Sequence, residues 1–156
     1  MVGNRDELIY QKYCSELTRF ATGLVGPSRA GDVVADAVVA CMRASGWSAV
    51  RNPRAYLYRS VLNEARRSQR RDVRRRLRER VAAVPEGIAA HETDQDVWGA
   101  VRELSARQRA VIFLTYWSDL TPESIAGLLH ISEGAVRRHL ARVRSRLHER
   151  LESYGP

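Results

Sequence analysis

Residues 121–146 restrict the fold of this chain more than any other stretch, because they are patterned as two short helices around a tight turn. Thr121 is a favourable N-cap, and Pro122 suits the first helical position, where no amide hydrogen is needed. The predicted turn begins at His130, and Ser132 is the N-cap expected for the second helix. The stretch therefore predicts a helix-turn-helix unit.

Apolar residues recur every three or four positions through this unit and define one buried face. The predicted buried positions are Ile125, Ala126, Leu129, Ile131, Val136, Leu140, Val143 and Leu147. The arginines that lie largely off this stripe are Arg137, Arg138, Arg142, Arg144 and Arg146. Such a helix fits the major groove of DNA, where arginine pairs with guanine edges and phosphates. The alternative is a solvated basic helix of an ordinary bundle.

The charge of the chain also indicates an anionic partner. With 156 residues, 44% of them hydrophobic, the chain is large enough for one domain or two small ones. Its net charge of +8 at pH 7 favours a polyanion such as nucleic acid. All but one of the 26 basic residues are arginine, the exception being Lys12. This bias fits phosphate binding, and it fits a GC-rich genome equally well.

The sequence contains no pattern that indicates an enzyme, a metal site or a cofactor. It has no Gly-rich phosphate loop, nucleophile elbow or Cys-x-x-Cys pair, and its histidines lack metal-ligand spacing. Cys14 and Cys41 lie in apolar helical patterns, which favours buried reduced thiols over a redox switch. No apolar run approaches a membrane span, and no signal segment is apparent. We therefore expect a cytoplasmic protein that is not inserted in a membrane.

The whole chain is patterned as helices, which predicts an all-α fold without strands. The predicted helices of the first half span residues 5–25, residues 29–45, and a third stretch from Pro53 into an arginine tract that ends at Arg80, with a loop over residues 46–53.

Composition divides the chain into two helical modules. Residues 81–95 contain proline, glycine and several acids but no arginine, whereas arginine crowds both flanks. We interpret this segment as a flexible linker between two small domains, residues 1–80 and residues 96–152. In the second domain Ser105 is the expected cap of one helix. The helix before it is marked by Val97, Trp98, Val101 and Leu104.

Three stretches resemble one protein family. The chain reads Asp32-Val-Val-Ala-Asp-Ala-Val-Val39 and Tyr56-Leu-Tyr-Arg-Ser-Val-Leu-Asn63, and a third stretch extends from Leu104 to Leu151. The first two are similar to region 2, and the third to region 4, of bacterial RNA polymerase sigma factors of the extracytoplasmic-function group. The resemblance implies binding to core RNA polymerase, recognition of promoter DNA and its opening. The implied partners are the clamp helices of the largest polymerase subunit, the flap of the second-largest subunit, promoter DNA and an anti-sigma factor.

The resemblance also implies roles for individual residues. Region 4 would contact the −35 element through Ser132, Arg137, Arg138, Ala141 and Arg142. Region 2 would contact the −10 element through Trp47, Arg59, Asn63, Arg66, Arg67 and Arg70. The surface for the clamp helices would include Asp32 and Asp36. No catalytic residue, metal ligand or cofactor is implied.

Several of these assignments have a purely structural alternative. In the family, Asn63 would help to hold a flipped base, and Trp47 would offer a ring for stacking. Trp47 is equally expected to pack the loop down, since tryptophan prefers a partly buried place. The arginine tract has the alternative of a solvated helix end, and Asp32 that of stabilising its helix through the macrodipole.

The sequence also departs from the family in two places. It has Gly134-Ala-Val-Arg-Arg-His139 where the family commonly has Gly-Thr-Val-Lys-Ser-Arg, and Ala35 where the family has glutamine. A LuxR-like helix-turn-helix regulator is the runner-up, because residues 131–139 fit that pattern nearly as well. Such regulators need an upstream sensor domain, normally built with strands, whereas residues 1–80 offer helices and arginine.

Overall fold

The computed structural model describes residues 3–82, 100–101 and 103–152, and every regular element in these residues is a helix. The elements are α1 (Asn4–Val25), α2 (Pro27–Arg43), a 3-10 turn (Trp47–Ala49), α3 (Pro53–Ala82), α4 (Ala106–Tyr116), α5 (Pro122–Leu129) and α6 (Glu133–Glu152). The all-helical prediction is confirmed. None of the helices in the described part of the chain combines the length and the apolar character that crossing a bilayer requires.

The first two helices are separated by a single residue. Gly26 has φ 85°, a backbone conformation that favours glycine, and its amide donates to the carbonyl of Thr22 at 3.0 Å. Pro27 then occupies the first turn of α2, where its missing amide hydrogen costs nothing. Helix α2 therefore begins two residues earlier than the apolar spacing predicts.

Helices α1, α2 and α3 form the amino-terminal unit around a common apolar core. Phe20 and Tyr58 meet at its centre with ring centroids 4.7 Å apart. Glu16 accepts hydrogen bonds from Nε of Arg54 at 2.8 Å and from the Tyr58 hydroxyl at 2.6 Å. Burial acts to raise the pKa of Glu16, but the hydrogen bonds from Arg54 and Tyr58 outweigh it and hold that pKa below its ordinary value.

Helices α4, α5 and α6 form the carboxy-terminal unit. Its centre consists of fully buried residues from all three helices, namely Val111, Leu114, Ile125 and Val136. Ser105 caps α4 as predicted: its hydroxyl accepts from the Gln108 amide at 3.2 Å, and the Gln108 side chain accepts from the Ser105 amide at 3.0 Å.

The two units pack against each other through one continuous core. Phe113 of α4 meets Phe20 of α1 with ring centroids 5.9 Å apart. Arg109 of α4 donates from Nη1 to the carbonyl of Leu24, in the last turn of α1, at 2.6 Å. A cation at the carbonyl end of a helix is favoured by the helix dipole. The sequence predicts two separate domains and does not predict this docking.

Gln69 of α3 fastens the start of the carboxy-terminal unit to the amino-terminal one. Its Nε2 donates to the Leu104 carbonyl, and its Oε1 accepts from the Ala106 amide, both at 3.1 Å. Of the predicted linker, residues 83–95 lie outside the described residues, as do Val97 and Trp98 of the predicted helix that follows. The domain boundaries stay predictions.

Candidate nucleic-acid interface

The helix-turn-helix has the local geometry that its sequence predicts. The Thr121 hydroxyl accepts from the Ser124 amide at 3.2 Å and so caps α5. His130 ends that helix in the left-handed region, at φ 56°. The Ser132 hydroxyl accepts from the Ala135 amide at 3.1 Å and caps α6. These capping contacts fix how α6 leaves the turn.

Helix α6 separates an apolar side from a basic side. Val136, Leu140 and Val143 are buried against the rest of the carboxy-terminal unit. The exposed side holds all the predicted −35 contacts, which we call the arginine face: Ser132, Arg137, Arg138, Ala141 and Arg142. The structure therefore brings these five residues together at one surface.

Arg137 has an acidic neighbour on the same helix. Its guanidinium pairs with the carboxylate of Glu133, one turn earlier, and both side chains are exposed. Exposed pairs of this kind contribute little free energy in water. The guanidinium can therefore exchange this partner for a phosphate at small cost.

His139 lies beside the arginine face rather than on it. Burial lowers the pKa of its imidazole, and Arg107, Arg142 and Arg138 lower it further. Its Nδ1 is buried and has no hydrogen-bond partner among the described residues. The family's arginine at this position is thus replaced by a group whose surroundings disfavour a positive charge.

The predicted −10 contacts on α3 recur every three or four residues and so share one face of the helix. Asn63 is exposed midway along it, and Arg59 lies over the ring of Tyr56, 5.8 Å from its centroid. With Tyr56 added, this face is called the α3 stripe: Tyr56, Arg59, Asn63, Arg66, Arg67 and Arg70. The resemblance assigns Tyr56 no contact, and its side chain is partly buried against the core. Its spacing to Asn63, seven residues, is the signal that could have found it.

Trp47 is placed by the structure in the packing role. Only 4% of its side chain is exposed, and its indole Nε1 donates to Oδ1 of Asp6 at 2.8 Å. Arg5 lies over the ring, and Tyr56 lies beside it with centroids 5.7 Å apart. In this arrangement the Trp47 ring presents no free surface to a base, because α1 and the start of α3 cover it. The aromatic ring that belongs to the α3 stripe is that of Tyr56.

The two predicted polymerase contacts lie on α2. Asp32 and Asp36 are exposed and one helical turn apart, and neither has an ion-pair partner in the described part of the chain. Val39, one turn further along, is also exposed, at 43%. The result is a small surface with two acids and an apolar neighbour.

Comparison with known proteins extends these observations. A profile of the family described as "Sigma-70, region 4" matches residues 94–147. Two curated relatives, the RNA polymerase sigma-E factors of Streptomyces avermitilis and Streptomyces antibioticus, are each 32% identical over 72 residues, or 46% of this chain. The match spans only 40% of the length of each of these relatives.

One solved structure resembles nearly the whole chain. It is the sigma factor RpoE of Bartonella quintana, in complex with the anti-sigma factor NepR. The TM-score is 0.63 at 25% sequence identity, and the match covers 96% of this chain and 98% of that one.

The helix-turn-helix with its arginine face thus lies in the part of the chain that matches sigma-70 region 4, and the fold of nearly the whole chain resembles that of a sigma factor. The chain is similar to sigma-E factors over its matched part, and the resemblance to sigma factors seen in the sequence is confirmed. The LuxR-like alternative is not favoured, since residues 3–82 contain helices and no strand.

Proposed function

We propose that this chain is a sigma factor of the extracytoplasmic-function group, which binds core RNA polymerase and directs it to promoters. The observation that carries the proposal is the exposed arginine face of α6, in the part of the chain that matches sigma-70 region 4. Recognition and strand opening would draw on binding energy alone, so the proposed role is not enzymatic. A protein that acts at promoters would work in the cytoplasm.

The arginine face would read the −35 element as duplex DNA. Arg138 and Arg142 are exposed one turn apart and suit guanine edges or phosphates in the major groove. Ala141 lies between them and would contact a thymine methyl group. Ser132, at the amino terminus of α6, would bind backbone phosphate together with the positive end of the helix dipole.

The α3 stripe would hold the opened −10 strand. Asn63 offers both a donor and an acceptor for the edge of a flipped base. The Tyr56 ring, flanked by Arg59, supplies an aromatic surface, and stacking on such a surface is worth about 1–3 kcal/mol per base. The arginines further along the stripe would follow the phosphate backbone.

The packed arrangement is not suited to reading both elements at once. Elements about 25 base pairs apart are separated by about 85 Å of B-DNA. A compact chain of this length has a radius of gyration of about 15 Å. Promoter binding therefore requires the two units to separate, and the predicted linker, residues 81–95, would connect them.

Core polymerase would dock on α2 at Asp32 and Asp36, and its flap would contact the carboxy-terminal unit. The related RpoE was solved with an anti-sigma factor, and we propose that a protein of that kind also controls this chain. An inhibitor that binds both units in the packed arrangement would keep them from separating.

Association with purified core polymerase tests the proposal directly. The native chain should bind core polymerase in a fluorescence-anisotropy titration, and Asp32→Ala with Asp36→Ala should weaken that binding by about tenfold or more. Glu7→Ala is the matched control, because it removes an exposed acid from α1 instead. No detectable binding by the native chain would contradict the proposed function.

A further inference from the structure

A concentration of positive charge lies around α4, where this helix packs against α3 on one side and against α6 on another. The two hydrogen bonds of Gln69 place the start of α4 against the middle of α3. Arg107 therefore lies beside the arginines at the far end of the α3 stripe. Because α4 also packs on α6, the same residue approaches the arginine face from the other side.

Arg107 is close enough to both helices to affect the pKa values of their side chains. Burial lowers the pKa of Arg66, and the nearby Arg107 and Arg70 lower it further. Arg107 likewise lowers the pKa of His139, together with Arg142 and Arg138. We call this group the junction cluster: Arg66, Arg70, Arg107, Arg138, His139 and Arg142.

No side chain of the junction cluster has a hydrogen-bond or ion-pair partner among the described residues. Other arginines of these helices are paired, for example Arg71 with Glu64 at 3.0 Å. Two cluster atoms, Nε of Arg107 and Nδ1 of His139, are buried and unpartnered. Buried polar groups without partners and like charges at close range both cost free energy. A bound anion would relieve both costs.

We propose that the junction cluster is a phosphate-binding site that exists only while the two units are packed together. Arginine forks match the oxygens of a phosphate group, and three helices converge on the site from different sides. The phosphates could belong to a free polyphosphorylated ligand or to a nucleic-acid backbone, which share this chemistry. The inference goes beyond promoter reading, where the arginine face and the α3 stripe act on two distant elements.

Such a site would couple phosphate binding to the packing of the units. A ligand that bridges α3, α4 and α6 stabilises the packed arrangement in proportion to its occupancy. By linkage, separation of the units must weaken ligand binding by the same factor. A phosphate ligand would therefore oppose promoter binding by the free chain.

Calorimetric titration of the full-length chain with inorganic tripolyphosphate, at constant ionic strength and without polymerase, tests the site. Saturable binding should be weakened about tenfold by Arg107→Ala, which removes the residue shared by both sides of the cluster. Arg74→Ala is the matched control, an exposed arginine of α3 outside the cluster, and should change the affinity by roughly twofold or less. Equal losses in the two variants would mean general charge attraction and would overturn the site.

A second arm replaces tripolyphosphate with a short single-stranded oligodeoxynucleotide. If either probe binds and Arg107→Ala weakens that binding, the result supports the site. The probe that binds then identifies the source of the phosphate. Binding of neither probe overturns the proposal. Because no polymerase or promoter is present, this result is independent of whether the proposed function holds.

A readout on the native chain removes any dependence on how the variants fold. The imidazole of His139 can be titrated by NMR with and without tripolyphosphate. A bound phosphate should raise the pKa of His139, since it offsets the field of Arg107, Arg138 and Arg142. An unchanged His139 pKa at saturating tripolyphosphate would overturn the proposal.

Discussion

The ring of Phe113 occupies the space that a side chain at Gly23 would need: a Cβ built at residue 23 would lie 2.5 Å from Cδ2 of Phe113. Gly23 is on α1 and Phe113 is on α4, so this contact belongs to the docking of the two units. The ring has little freedom to move, because Trp117 stacks on one side, with centroids 6.1 Å apart, and Phe20 meets it on another. Close packing of this kind makes the docking sensitive to one methyl group.

Gly23→Ala should loosen the docking of the two units. Overpacking of a filled contact typically costs about 1–3 kcal/mol, more than the gain from helix propensity. Gly31→Ala is the control: nothing lies within 4 Å of a Cβ built there, so it should stabilise by about 0.5–1 kcal/mol. Denaturant unfolding measures both changes. Stabilisation by Gly23→Ala equal to that of Gly31→Ala would show that the contact with Phe113 is absent in solution.

Gln69→Leu should release the start of α4 from α3. The substitution removes both hydrogen bonds at the Leu104 carbonyl and the Ala106 amide, at a cost of about 1–3 kcal/mol. Hydrogen exchange should show faster exchange of the Ala106 amide, whereas amides at the centre of α2 should keep their protection. Gln11→Leu, which removes an exposed glutamine of α1, should leave Ala106 unchanged.

We expect the two aromatic residues beside the loop to have different roles, Trp47 a structural one and Tyr56 a functional one. Trp47→Ala removes a buried ring and should lower the free energy of unfolding by about 3–5 kcal/mol. Tyr56→Ala should destabilise less, but it should impair promoter opening, measured by permanganate reactivity of unpaired thymines. The same variant should retain binding to duplex −35 DNA. Normal opening by Tyr56→Ala would remove this residue from the proposed −10 contacts.

Acidification below about pH 6.5 should destabilise the chain through His139. Because the pKa of His139 is lowered in the folded chain, the unfolded chain binds more protons between the two pKa values. The stabilisation that depends on His139 is therefore fully present above the pKa that this residue has in the unfolded chain. It is lost as the pH falls towards the pKa that His139 has in the folded chain. The pH dependence of the melting temperature across this range should become flatter in His139→Gln than in the native chain. If the stability of His139→Gln fell with decreasing pH as steeply as that of the native chain, His139 would not be the cause of the acid destabilisation.

The sequence predicts the helices and their caps because these depend on residues close together in the chain. Ser105, Thr121 and Ser132 each bond an amide three residues later, so a short window contains all the information. The arginine face follows from the same periodicity, since the apolar stripe of α6 determines which side is buried. Local patterns also identify the α3 stripe once Tyr56 is counted by its spacing.

The docking of the units could not be predicted in this way. Apolar spacing shows that a helix has a buried face but does not identify what covers it. Gln69 bonds residues 35 and 37 positions away, and Arg109 bonds a carbonyl 85 positions away. Trp47 and Tyr56 illustrate the same limit, because both are aromatic residues near the loop and only the packing of α1 decides which is covered.

Promoter-specific run-off transcription with core polymerase tests the central claim most directly. Addition of this chain should produce initiation from a promoter fragment that core polymerase alone does not transcribe. Arg138→Ala should reduce this initiation by the equivalent of about 1–3 kcal/mol of promoter binding. Arg146→Ala, which removes an exposed arginine further along α6, should have a small effect. No added initiation from any promoter of a genomic library, by a chain that is folded, would contradict the account.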